Sequence, residues 1–328
     1  MRRPIRSARI AAVCVRGQRC KTTNPNPKRL ALLETIVSHL LDSDWQPLDA
    51  VLLPAGFLRL GRSLADLDFA GRAKALAATR IGWSLLRQAR RLDQAFPGAL
   101  LVVGIDGDTQ GEGDDQFCVA IGASGVIGVA RKIFPTEMDT KNPDRAVTPR
   151  LADYDDPGRI IALASGRRAA LCACYDVFGF HEGPDSGSSR TRAIRWIRDD
   201  SRTMGQDAPA FTALRRQALA GWQAHWRGAG VDLALAAIHG FEKSGRDGYW
   251  QRHGMACAAA AIEGAAIGAA HFEECLPEPD SSTLAATKVP KTHLAAGLNR
   301  RAHSFPPMDS LVIRKGGRRA ALARLFQV

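Results

Sequence analysis

Apolar residues fall in short runs separated by stretches in which they recur at helical spacing, and this alternation sets the elements expected along the chain. Residues 8–15, Ala-Arg-Ile-Ala-Ala-Val-Cys-Val, predict a buried strand. After a polar loop with Asn24-Pro25-Asn26-Pro27, Leu30, Leu33, Ile36, Val37 and Leu40 mark one face of a helix over Lys28 to Leu41. Val51-Leu52-Leu53 is a short strand stopped by Pro54, residues 64–95 are expected to be helical, and Ala99 to Ile105 is a strand leading into an acidic loop from Asp106 to Asp115. Phe117–Ile121 and Val126–Lys132 predict a hairpin around Ala123-Ser124-Gly125. Strands follow at Ile160–Ala164, Ala169–Cys174, Val231–Ile238 and Ala265–Phe272, with helices at Thr212–Arg227 and Gly248–Glu263.

Strands alternating with helices predict an α/β layered domain, and the hairpins argue against a purely parallel sheet. With no linker-like stretch, residues 1–328 are expected to form a single domain. An insertion is expected near 180–209, beside the presumed cleft. The C-terminal segment 276–328 reads as irregular, closing with edge strands at Ser310–Arg314 and Ala320–Phe326.

Composition narrows the class. The apolar fraction of 45% and charged fraction of 24% suit a soluble globular protein. No apolar run approaches the roughly 18 residues of a membrane helix, and the apolar piece from Ile10 to Val15 is short for a signal peptide, so a cytoplasmic location is the expectation. The seven cysteines are expected to be mostly inert buried thiols in a reducing compartment. The net charge of +12 is spread along the chain without an aromatic-interleaved basic stripe, so no specific nucleic-acid partner is expected. His181 and His253 with Cys172 and Cys174 fit no zinc spacing, and no phosphate-binding or dinucleotide fingerprint occurs; neither metal nor cofactor is expected.

Chemistry concentrates where apolar runs stop. Lys132 and Cys174 each end a strand, and strand ends line the cleft of a layered α/β fold. A thiol acts as a nucleophile only when ionised, and a nearby ammonium favours that form. Cys172 and Cys174 share a face while the pleat persists. Geometry leaves the choice between them open; the turn after Cys174, with Tyr175-Asp176, favours Cys174.

Cys174-Tyr175-Asp176, Arg131-Lys132-Ile133-Phe134-Pro135 and Leu53-Pro54-Ala55-Gly56-Phe57-Leu58, in this order, resemble the nitrilase superfamily of carbon–nitrogen hydrolases. Supporting pieces are Val102-Val103-Gly104-Ile105 and Gly248-Tyr249-Trp250-Gln251. The resemblance implies a four-layer α-β-β-α sandwich that pairs as a homodimer. It also implies cofactor-free hydrolysis of an amide, carbamoyl or nitrile group, with Cys174 as nucleophile and Lys132 as charge stabiliser. Tyr175 and Phe57 are implied to bind substrate. Where the family carries its catalytic Glu, this chain has Ala55.

Three explanations of Ala55 stand side by side. The residue is a natural departure, so that a ligand binds but is turned over poorly; another carboxylate serves, Glu137 first and Glu182 or Asp176 after it; or the residue is an engineered inactivating substitution. The alternative to a hydrolase is a non-catalytic ligand-binding or interaction protein on the same fold.

Overall fold

The computed structural model describes residues 7–64, 66–108, 114–134, 156–180, 220–222, 224–226, 228–240, 254–272, 293–296 and 306–328. Strand β1 (Arg9–Arg16) is followed by α1 (Asn26–Leu41), β2 (Ala50–Leu52), β3 (Leu58–Leu60), α2 (Phe69–Ala77), α3 (Arg80–Ala95), β4 (Leu100–Asp108), β5 (Asp114–Gly122) and β6 (Gly125–Arg131). Then come β7 (Ile160–Ala162), β8 (Arg168–Ala173), a 3-10 turn at Cys174–Phe180, β9 (Leu233–Gly240), α4 (Ala256–Ala261), β10 (Ala265–Phe272), β11 (His293–Ala296), β12 (Asp309–Lys315) and β13 (Arg318–Gln327).

The strands form one large sheet folded on itself, with the path β6-β5-β4-β2-β1-β10-β9-β8-β7. The fold line lies between β1 and β10, which pair only at Val15–His271 and Arg16–Phe272. The two halves face each other across a layer of small and branched side chains, among them Ala12, Leu52, Val102, Ala120, Leu171, Leu235 and Ile267. Alternation along each strand sends the other residues outward. On one side Val13, Val51, Leu101 and Val103 meet α1 and α3 through Leu33, Ile36, Leu85 and Leu92. On the other, Ala170, Ala234 and Ala266 meet Trp222, Trp226, Ala258 and Ala259. This is the four-layer α-β-β-α arrangement.

Local chemistry accounts for several boundaries. The expected helix over 64–95 is two helices, because Asp68 and Thr79 each accept from a backbone N–H three residues on, at 2.7 and 3.0 Å, and so start separate turns. The expected acidic loop is shorter, since β4 runs through Asp108 and β5 begins at Asp114, with the backbones of Asp106, Asp108, Asp114 and Asp115 paired in the β4–β5 ladder. The C-terminal segment is less irregular than its pattern suggests. Residues 293–296 add β11 antiparallel to β10. β13 is no edge strand: it lies between β1 and β12, and its Ala321, Leu322, Ala323 and Leu325 are buried. The expected insertion near 180–209, the first half of the 212–227 helix, and Glu137 and Glu182 lie outside the described residues.

Candidate active site

Parallel pairing gathers the candidate residues at one edge. β2 runs parallel to β1 and β4, β1 to β10, β10 to β9 and β9 to β8. β6, antiparallel to β5, which is antiparallel to β4, points the same way. The carboxyl ends of these strands therefore deliver Ala55, Asp106, Lys132, Cys174, His239 and His271 to the same end of the sandwich, where α/β sheets hold their ligands.

Cys174 is the first residue after β8 and opens the 3-10 turn with φ of 50°, one of two non-glycine residues among the described ones with positive φ. Backbone strain of this kind costs on the order of 1–3 kcal/mol and persists where surrounding structure enforces it. Asp176 is the enforcing group. Its Oδ1 accepts from Ile133 N at 2.8 Å and Phe134 N at 3.2 Å, and its Oδ2 accepts from Ala173 N at 3.1 Å. One carboxylate thus binds the loop after Lys132 to the turn around Cys174. Arg159, wholly buried, lies 3.5 Å from the same carboxylate and stacks over Trp222 at 5.3 Å. Burial pushes the Asp176 pKa up, while Arg159 and the three amides pull it back.

Lys132 is 2% exposed, and its Nζ sits 5.3 Å from the centroid of the Tyr175 ring. Tyr175 therefore meets the lysine with its face, and the Lys and Cys elements touch through it. Phe57 is turned elsewhere: it is fully buried in the core beneath the helices, with Arg29 5.7 Å above its ring. Cys172 lies wholly buried one strand position from the turn, and desolvation pushes its thiol pKa well up, as befits an inert core cysteine.

The Ala55 slot is held by its backbone. Its amide donates to Ile238 O at 3.2 Å, and its carbonyl accepts from His271 Nε2 at 3.1 Å. Gly104 permits this approach, since a Cβ there would lie 2.2 Å from the Ala55 Cα. Burial, with the positive charges of Arg29 and His239, pulls the His271 pKa well below its ordinary value, so the ring is neutral and donates from Nε2. The Ala55 methyl points into the layer between the half-sheets, 2% exposed.

Two further groups stand beside this slot. His239, 19% exposed, places Nε2 3.1 Å from both carboxylate oxygens of Asp106, which is fully buried and lies 3.6 Å from Arg19. Cys174 also acts on the His239 ring and favours its charged form. Burial lowers the His239 pKa, but Asp106 and Cys174 together outweigh it and raise the pKa to about 9. Gly56, at φ +61°, leaves the space these groups fill: a Cβ there would lie 2.8 Å from Asp106 Oδ2 and 3.1 Å from His239 Cδ2. Neither His239 nor Asp106 is among the residues that the sequence pattern singles out. Both close an apolar strand run, as Lys132 and Cys174 do, and that signal could have found them.

No family model matches this chain, and no curated protein matches it by sequence. In backbone shape it is similar to an amidase from Nesterenkonia sp. AN1. A cysteine-to-alanine mutant of that amidase in complex with butyramide aligns with a TM-score of 0.50 at 14% identity, over 99% of this chain and 93% of the other. A glutamate-to-leucine mutant, with covalent addition of the acetamide moiety of fluoroacetamide at the active-site cysteine, aligns with a TM-score of 0.50 at 15% identity, over 99% and 93%. That amidase is described as one from the nitrilase superfamily. The likeness is one of fold: the chain shares the backbone architecture of this amidase. On this fold the strand-end thiol of Cys174, the buried ammonium of Lys132 and the His239–Asp106 pair lie at the same end of the sandwich.

Proposed function

We propose that the chain is a carbon–nitrogen hydrolase acting on a small non-peptide amide, carbamoyl or nitrile group through a covalent Cys174 intermediate. The observation that carries this reading is the Asp176 clamp, which ties the Lys132 loop to a strained cysteine at a strand end. A structural core cysteine, like Cys172, has no need of such a support.

In the reaction, the Cys174 thiolate attacks the substrate carbon, and the Lys132 ammonium stabilises the negative charge that gathers on the substrate heteroatom. The amine leaves, and water hydrolyses the resulting thioester. Small amides are the substrate class in keeping with the butyramide bound by the structural neighbour. The neighbour's glutamate-to-leucine mutant still carries a covalent adduct on its cysteine, so the thiol of that fold reacts after a carboxylate has been replaced by an apolar side chain.

The apolar side chain of Ala55 favours a second reading, a binding protein with the pocket kept and the proton shuttle lost. Ammonia release separates the two. The hydrolase reading expects turnover of butyramide or a related small amide that Cys174→Ser abolishes; ligand binding without any ammonia release supports the second reading.

A further inference from the structure

We propose that His239, held by Asp106, is the general acid and base of this site and fills the role that the Ala55 methyl leaves open. The inference rests on the hydrolase reading above.

Asp106 accepts from Nε2 at 3.1 Å through both oxygens, which fixes that nitrogen as the donor. Cys174 acts on the same ring electrostatically, and the proposal assigns Nδ1 to its sulfur. Asp106, fully buried and shared with Arg19, is a positioning residue that orients the ring and favours its cationic form. The site sits beside the empty carboxylate slot: Ala55 N bonds the carbonyl of Ile238, the residue before His239. Gly56 supplies the clearance. Among the described residues, the carboxylate of Asp176, which the sequence also offers for the role, is fully buried and occupied by three backbone amides and Arg159, so it has no route to a leaving group.

Protons balance through the cycle. Resting Cys174 and His239 form a thiolate–imidazolium pair, favoured because the raised His239 pKa keeps the ring protonated at neutral pH. Sulfur attacks the amide carbon and its electron pair forms the C–S bond. The C–N bond breaks as imidazolium gives its Nδ1 proton to the departing nitrogen, and ammonia leaves. Acylation removes the charge on sulfur, so the neutral ring is then free to take a proton from water. The hydroxide equivalent attacks the thioester carbon, the C–S bond breaks, and acid, thiolate and imidazolium are regenerated.

Two measurements on wild type, Cys174→Ser, His239→Asn and Asp106→Asn test this: ammonia release from butyramide, and the pH dependence of Cys174 alkylation by iodoacetamide, read by peptide mass spectrometry. The proposal expects His239→Asn to lower ammonia release by about 10²–10⁴-fold. It expects the alkylation midpoint of Cys174 to move up toward the ~8.5 of an ordinary thiol. Asp106→Asn should move the alkaline limb of wild-type turnover, expected at about pH 9, to lower pH. If Cys174→Ser abolishes turnover while His239→Asn keeps the wild-type rate and alkylation profile, the hydrolase reading stands and His239 is not its acid and base. If ammonia release survives Cys174→Ser, the hydrolase reading fails and the proposal with it. If wild type releases no ammonia, an alkylation midpoint unchanged by His239→Asn overturns the proposed pairing.

Discussion

The carboxylate of Asp176 accepts from the backbone amide of Ile133 at 2.8 Å, across 43 positions of sequence. This bond and its partners to Phe134 and Ala173 make the lysine loop and the cysteine turn one structural unit. Asp176→Ala would strip the acceptors from three amides and remove the carboxylate that lies 3.5 Å from buried Arg159. Removing one member of a buried pair costs about 3–5 kcal/mol, which denaturant unfolding should read directly. A loss below about 1 kcal/mol, the value of a surface pair, would show that the clamp does not hold the site.

Lys132→Met matches the length of the buried stem and removes only the ammonium over Tyr175. Losing the cation–π contact costs roughly 0.5–2 kcal/mol of stability. Losing the charge stabiliser should lower amide turnover by about 10²–10³-fold. Circular dichroism and ammonia release separate the two effects. An unchanged rate would remove Lys132 from the chemistry.

Stability should depend on pH on both flanks, with opposite signs. The folded pKa of His239 is about 9 against an ordinary 6.5, so its contribution is complete below pH 6.5 and lost as pH rises through 9. The difference bounds that contribution at on the order of 3 kcal/mol. The folded pKa of His271 is depressed, so its contribution is present above pH 6.5 and lost as pH falls below that value. Unfolding free energies from pH 5 to 10 should show both flanks, and His239→Asn should flatten the alkaline one alone. Equal loss on the alkaline side in that variant would contradict the assignment.

Much of the fold is legible in the apolar runs, because strands buried on both faces read as continuous hydrophobic segments. Cys174 and Lys132 stand out in the sequence for a related reason: a polar or ionisable side chain at a strand end interrupts such a run. His239 and Asp106 carry the same signal, although their strands run on past the end of the apolar run. The apolar run of β9 stops at Ile238 and that of β4 at Ile105, whereas the backbone ladders continue to Gly240 and Asp108. Their partnership depends on the facing of two half-sheets, which no local pattern records. β11 and the central place of β13 are hidden likewise, since both are set by long-range pairing.

Gly56→Ala places a methyl against Asp106 and His239 at a left-handed position. The conformation alone costs about 1–2 kcal/mol. Gly316, at φ +56° with open space where an alanine methyl would stand, is the matched control. Both alanine variants should lose stability, while only Gly56→Ala should also lose amide turnover. Equal activity in the two would show that the His239–Asp106 geometry does not matter to the reaction.

The most direct test of Cys174 as the nucleophile is the identity of the residue that becomes covalently modified by fluoroacetamide. Fluoride is a poor leaving group, so ordinary thiols should escape and an activated one should not. The expected result is an acetamide moiety on Cys174, found by tandem mass spectrometry of the digested protein, with Cys172 and the other thiols unlabelled. Labelling at another cysteine with Cys174 left bare would contradict it.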